Sequence, residues 1–229
     1  MATAGDRVRR ARDVPDLLAA LQAADPGRPR LTWYGADGER VELSARVLAT
    51  WVAKTANLLV EELDAEPGTT VRLDLPAHWR TVVWALATWS AGAELVPDGA
   101  ADVLVTAQPS SAPRGAGPAP GAAGPATVAV ALPALARAFP GDLGGALDYA
   151  SVVAGFGDVF APTDPPSGTG LLDAARSRWP HLVRLLGVGG LDLVGDLLGA
   201  LLADGSLVLC EVEPAPEVVA AERVTARAP

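Results

Sequence analysis

Apolar residues recur at Val14, Leu17, Leu18 and Leu21, the spacing of one face of a helix. This predicts a helix over 14–24, ended by Pro26-Gly27. Residues 31–34 and 40–43 read as two strands, because Ala36-Asp37-Gly38 between them carries the Asp-Gly pair that favours a hairpin. Ser44 then offers an N-cap to a helix over 45–63, which sets Leu48, Trp51, Val52, Leu58, Leu59 and Leu63 on one face. Pro67-Gly68 is a turn, and 71–75 is a short strand bounded by Pro76.

The next helix, over 78–91, is apolar nearly all round through Val82, Val83, Trp84, Leu86 and Trp89, so it is expected to be buried on more than one side. Short strands come after it at 94–96, 102–106 and 127–132. Between the last two, residues 107–125 are dominated by Ala, Pro, Gly and Ser and read as a surface linker. Beyond it the pattern gives a short helix at 149–155, a loop at 161–170, a helix at 170–178 and a strand at 181–186. A helix at 191–203, a strand at 206–210 and a last helix at 217–225 complete the chain. Strands alternating with helices predict an α/β fold, a layered and largely parallel sheet flanked by helices. No internal repeat interrupts that reading. The N-terminal residues 1–13, with Arg7, Arg9, Arg10 and Arg12, read as a polar tail ahead of a domain over 14–229, with a candidate sub-boundary between 14–106 and 126–229.

Composition removes several classes of function. With 18 basic against 27 acidic residues the chain carries a net charge of −9 and lacks the basic face that phosphate-tracking nucleic-acid binders use. The single cysteine, Cys210, excludes an intrachain disulfide and a multi-cysteine zinc site. No apolar stretch follows the N-terminal arginines, so no signal peptide is expected. The most apolar region, 185–210, is interrupted by Asp192, Asp196 and Asp204, which argues against a membrane span. A cytoplasmic protein with no membrane and no nucleic-acid partner is the expectation. Lys54 is the one lysine among the basic residues.

Three places offer chemistry. Gly187-Val188-Gly189-Gly190-Leu191-Asp192 follows a predicted strand and opens a predicted helix, with Glu211 at the end of the next strand. A dinucleotide site would set a third glycine where Asp192 stands, and a carboxylate there repels a pyrophosphate while capping the helix well. An acid-capped strand-to-helix turn is therefore the preferred reading. Ser167-Gly168-Thr169-Gly170 has the backbone permissiveness of a phosphate cradle, but no lysine accompanies it and Asp164 precedes it. Cys210, His78 and His181 complete the set of candidate nucleophiles and bases. Cys210 ends a predicted buried strand, no nucleophile elbow is present, and neither histidine has an orienting partner in sequence. The six tryptophans fall mostly on predicted core faces and do not interleave with a basic stripe, so they read as packing residues.

One segment carries a likeness beyond these local patterns. Asn57-Leu58-Leu59, Glu66-Pro67-Gly68-Thr69-Thr70-Val71, Leu75-Pro76, Val82-Val83-Trp84-Ala85-Leu86-Ala87 and Ala91-Gly92-Ala93-Glu94-Leu95-Val96-Pro97 run in order through 43–97. This resembles the N-terminal segment of the AMP-binding, adenylate-forming enzymes, which include acyl-CoA synthetases, adenylation domains and luciferase-type ligases. Leu31-Thr32-Trp33 and the stretches 190–209 and 217–225 extend the resemblance over most of 14–225. In this half-length form the chain resembles a short bacterial family of unknown function.

The resemblance implies an α/β scaffold built like the N-terminal half of an adenylate-forming large domain. It also implies where chemistry would sit. The family's Ser/Thr/Gly-rich phosphate loop ends in Pro-Lys-Gly, whereas Ser167-Gly168-Thr169-Gly170 is followed by Leu171-Leu172. The family's magnesium and adenine motif, its ribose-binding aspartate and its C-terminal lysine have no counterpart before Pro229. Adenylation needs positioned cations for the charge that develops on the α-phosphate. The expectation is therefore a non-catalytic scaffold with no catalytic residue, no metal and no resident cofactor, acting through a protein partner or as a homo-oligomer. The alternatives are an ATP, AMP or acyl-adenylate binder that uses Ser167, Gly168, Thr169 and Gly170 without catalysis, and half of a split ligase completed by another chain.

Overall fold

The computed structural model describes residues 4–109, 125–162 and 169–229. In chain order the helices are α1 (Ala4–Arg9), α2 (Val14–Ala24), α3 (Ala45–Glu61), α4 (Trp79–Ser90), α5 (Tyr149–Val152), α6 (Thr169–Ala175), α7 (Gly199–Leu202) and α8 (Pro216–Ala221). The strands are β1 (Pro29–Tyr34), β2 (Arg40–Ser44), β3 (Thr70–Asp74), β4 (Glu94–Leu95), β5 (Val103–Thr106), β6 (Ala126–Ala129), β7 (Leu147–Asp148), β8 (Arg184–Val188), β9 (Ser206–Cys210) and β10 (Ala226–Arg227). The expected α/β class with parallel strands is what the chain adopts, but among the described residues the strands divide between two sheets of five. The chain forms two compact units, Met1–Trp51 with Pro76–Val83 and Gly168–Pro229, and Val52–Leu75 with Trp84–Ser167. Sheet membership therefore follows a different line from the linker at 107–125, most of which lies outside the described residues.

The first unit is built on the sheet β10-β8-β9-β1-β2. Only β1 and β2 are antiparallel, joined by the predicted Asp-Gly hairpin, in which the Gly35 N–H donates to Glu39 O at 2.9 Å. The remaining pairs are parallel. Register sets Arg184, Leu186, Ser206, Val208, Cys210, Thr32, Tyr34, Arg40 and Glu42 on one face of this sheet. Leu186, Val208 and Cys210 make an apolar patch there, covered by Tyr34, Val188, Val219 and Val224. The N-terminal segment, read from sequence as a polar tail, contains α1, which buries Val8 completely. Arg176 holds its end by donating to the backbone carbonyls of Arg9 and Ala11. Asp13 caps α2 by accepting from the Asp16 N–H at 2.8 Å.

Glu222 lies over the polar part of that sheet face. Its carboxylate accepts from the Tyr34 hydroxyl at 2.5 Å and from Arg40 Nη2 at 3.0 Å, and it pairs with Arg184. Burial pushes the Glu222 carboxyl up, but the bonds from Tyr34, Arg184 and Arg40 outweigh burial and hold it below the usual carboxylate range. A lowered folded pKa gives stability that is complete above the unfolded value of about 4.3. That stability is lost as pH falls through the lower folded value. Glu222→Gln is expected to cost about 1 kcal/mol at pH 7 and to flatten the acid limb of stability against pH. Urea midpoints at neutral and acid pH check this, and an unchanged acid limb would contradict it.

The turn from α7 into β9 holds the most deeply buried charge. Arg30 is fully buried on β1; its Nη1 donates to the carbonyls of Asp204 and Gly205 at 3.0 Å each and pairs with the Asp204 carboxylate at 2.8 Å. Asp204 takes a left-handed backbone (φ 54°), which aspartate tolerates. Gly205 has no room for a side chain: a β-carbon there would lie 2.3 Å from Val183 O and 2.7 Å from Ala200 O.

The second unit carries the all-parallel sheet β4-β3-β5-β6-β7. β5 is buried along its whole length, as expected of a central parallel strand. Thr70 and Asp102 join β3 to the entry of β5: Asp102 accepts from the Thr70 hydroxyl at 2.7 Å and from its N–H at 2.8 Å. These bonds, the hydroxyl first, hold the Asp102 carboxyl below its ordinary value. Trp84 and Tyr149 pack with ring centroids 5.1 Å apart, and Tyr149 OH lies 2.7 Å from the Thr55 hydroxyl.

Lys54 is used in this unit. Its ammonium donates to the carbonyls of Ala154 at 3.2 Å and Phe156 at 2.5 Å and pairs with Asp158 at 2.8 Å. One turn further along α3, Asn57 Nδ2 donates to the carbonyls of Gly157 and Val159 at 3.0 and 3.1 Å. Together they fasten the segment after α5 to α3.

Candidate functional site

In open parallel sheets, ligands are met at the carboxyl ends of the strands. In the first unit these ends are Val188, Cys210 and Tyr34, with the start of antiparallel β2 beside them. After β8 the chain runs through Gly189 and Gly190, both exposed, to Asp192. The Gly189 N–H is already bonded to Cys210 O at 2.9 Å. Asp192 Oδ1 accepts from the Val194 N–H at 3.0 Å, as the predicted acidic cap should.

The helix capped by Asp192 departs from the expected α form. Leu193–Leu198 is a π-helix, and α7 continues it. The Asp192 carbonyl accepts from both Asp196 N at 2.9 Å and Leu197 N at 3.1 Å, so the first turn is widened. Gly195 leaves room for the capping carboxylate: a β-carbon on it would sit 2.4 Å from Asp192 Oδ2. The widened turn buries Asp196, whose carboxylate pairs with Arg178 Nε at 3.3 Å.

Carboxylates dominate this edge. Glu211, just past β9, accepts from the Ala36 N–H at 3.0 Å, and Glu213 pairs with Arg227 at 2.6 Å. Arg40 pairs with Glu42 and Glu222, Arg178 with Asp196 and Arg227 with Glu213. Among the described residues, no cluster of three or more His, Cys, Asp or Glu side chains has the arrangement to hold a metal ion.

The candidates from sequence are dispersed. Ser167 and Gly168 lie outside the described residues. Thr169 opens α6, and Gly170 comes next in the first turn, exposed and with open space around its α-carbon. α6 buries Leu172 and Ala175 and packs on the π-helix. His78 is buried against Trp33, ring centroids 4.2 Å apart, and its Nδ1 accepts from the Arg80 N–H at 3.1 Å. That bond assigns the proton to Nε2 in the neutral ring. His181 lies at the turn before β8, with Nδ1 3.0 Å from Ala203 O. Cys210 is buried; burial, then Glu213 and Glu222, push its thiol up to about 11, the opposite of what a nucleophile requires. Trp51 and Trp79 gather around Arg80, whose guanidinium carbon is 4.2 Å from the Trp79 ring centroid and 5.6 Å from that of Trp51. This is packing, as the sequence suggested.

The chain matches no protein-family model. It is 34% identical over 230 residues to a protein of Mycobacterium tuberculosis described as a TIGR03089 family protein, covering 91% of this chain and 95% of that one. Among solved structures, an acyl-CoA synthetase of Brucella canis superposes with a TM-score of 0.68 at 17% identity, over 99% of this chain and 47% of its own. A fatty acyl CoA synthetase of Mycobacterium tuberculosis gives 0.65 at 12% identity, over 96% and 49%. Acetoacetyl-CoA synthetase from Streptomyces lividans gives 0.63 at 18% identity, over 89% and 39%. The chain thus spans less than half the length of these synthetases, and the likeness at such identities is one of fold: that of the N-terminal portion of adenylate-forming enzymes. No helix among the described residues is long and apolar enough to cross a membrane.

Proposed function

The chain belongs to the TIGR03089 family, and on that premise we propose that it is a non-catalytic relative of the adenylate-forming enzymes that works by engaging a protein partner. The observation that carries this reading is the charge at the carboxyl edge of the first sheet. A bound ATP presents a highly charged triphosphate, and a site that activates it supplies positioned cations or free backbone N–H groups. At this edge Arg40, Arg178 and Arg227 are committed to carboxylates, and Asp192 and Glu211 add negative charge. Asp192 also occupies the helix start where an anion would otherwise be favoured. Drawing Arg178 away to a phosphate would leave the buried Asp196 carboxylate without its cation. The scaffold is retained while its edge is closed by ion pairs.

The test is isotope exchange between pyrophosphate and ATP, with short-chain, long-chain and aromatic carboxylates offered in turn. The expected result is no exchange above a protein-free blank with any acid. Exchange that depends on one of the acids would overturn the reading and return the chain to the ligases.

A further inference from the structure

We propose that the groove between α1 and α2 is the docking surface for an acidic helix of a protein partner. The groove encloses about 390 Å³ and is lined by Arg7, Arg10, Asp16, Ala19, Ala20 and Ala23. Its floor is one face of α2. Val14, Leu17, Leu18 and Leu21 bury the opposite face, which leaves Asp16, Ala19, Ala20 and Ala23 in a row along the outside. Solvent-facing helix positions are ordinarily filled by long polar side chains. Three alanines in that row let a second helix approach closely, since the distance between packed helices is set by the side chains at the contact.

The wall is cationic and fixed in place. Arg7 and Arg10 are exposed, lie one helical turn apart, and make no ion pair among the described residues. Asp16, the one acidic lining residue, is taken by Arg12, whose Nε lies 3.3 Å and backbone N–H 3.0 Å from its carboxylate. α1 is held by fully buried Val8 and by the two carbonyl bonds from Arg176, so the arginines stand on an anchored element.

Charge then selects the occupant. The chain as a whole carries −9, so an acidic partner is repelled elsewhere and attracted here. A helix with two carboxylates one turn apart and a small apolar face matches both features: charge-assisted bonds to Arg7 and Arg10, and close packing on the alanine row. A lipid surface is a poorer match, because the groove is concave and offers no bulky apolar side chain for insertion. This inference names the partner side of the proposed function and rests on it. Its readout is binding rather than pyrophosphate exchange, so the two fail separately.

The test follows amide shifts of the ¹⁵N-labelled full chain titrated with an alanine-based helical peptide carrying glutamates one turn apart, and with its lysine counterpart. The expected result is saturable shifts confined to amides of α1 and α2 with the glutamate peptide and none with the lysine peptide. Arg7→Glu with Arg10→Glu is expected to weaken the glutamate peptide by about tenfold or more and to admit the lysine peptide. Ala23→Trp, which fills the groove and leaves the charges, is expected to weaken binding as well. The inference is overturned by absence of saturable shifts at about 1 mM peptide, by shifts indifferent to these variants, or by binding to phosphatidylserine vesicles without binding to the peptide.

Discussion

Asp204→Asn is expected to remove about 3 kcal/mol of folding stability, the low end of what breaking a buried ion pair costs. Asparagine keeps the shape and tolerates the left-handed backbone at φ 54°, so the substitution isolates the charge. Arg30, with no exposed surface, would keep its two carbonyl contacts at 3.0 Å and lose the carboxylate at 2.8 Å. With a urea dependence of about 2 kcal/mol per molar, the midpoint is expected to fall by about 1.5 M. Adding Arg30→Met to the variant is expected to recover part of the loss, because the stranded charge is then gone. A midpoint change below about 0.5 M would show that solvent reaches the pair and compensates it.

Lys54→Met is the second large effect, expected at about 2 kcal/mol. The reason is geometric. Two carbonyls and one carboxylate converge on a single ammonium, at 3.2, 2.5 and 2.8 Å. A compact cation with three rotatable donors satisfies that arrangement, and a planar guanidinium does not. Lys54→Arg is therefore expected to recover less than half of the loss, in a chain where arginine serves at every other basic position. Hydrogen exchange is expected to rise in 149–159 and little elsewhere. A loss below about 0.5 kcal/mol, or full rescue by arginine, would contradict this role for the lysine.

Lys54 also marks what a sequence conveys and what it withholds. Its singularity is plain in the sequence, but the carbonyls it holds lie about a hundred positions away and have no side-chain signature. Local periodicity is enough for α2, α3, the Asp-Gly hairpin, β5 and β9, where burial on one face or along a whole strand fixes the pattern. It is not enough for β7 and β10, two-residue strands that exist only because a neighbour pairs with them, although the equally short β4 falls within the strand read at 94–96. Nor does it show the division into two sheets, since β1 pairs with β9 from the far end of the chain while β3 to β7, which intervene in sequence, pair among themselves. The π-helix at Leu193–Leu198 reads as ordinary helix in the sequence because the shift from one hydrogen-bond partner to the next carries no side-chain signature.

The candidate site is legible in part. Asp192 as an acidic cap follows from its place after Gly189-Gly190, and the structure keeps it there. The ion pairs that commit Arg40, Arg178, Arg184 and Arg227 are not legible, because each joins residues from separate elements. A signal does exist for Glu222: an acid between Val219 and Val224, the two apolar residues of the tail that cover the sheet face. The resemblance to adenylate-forming enzymes carries the fold, and the proposed loss of catalysis rests on the charges at the edge of the sheet.

Whether that edge still accepts a triphosphate is tested most directly by calorimetric titration with ATP, with and without Mg²⁺ and at low ionic strength. A closed edge gives no saturable heat with ligand raised to about 1 mM. Saturable binding at about 0.1 mM or tighter, weakened by Arg178→Ala or Arg227→Ala, would mean that those arginines leave their carboxylates for the nucleotide, and would contradict the loss of chemistry proposed for this chain.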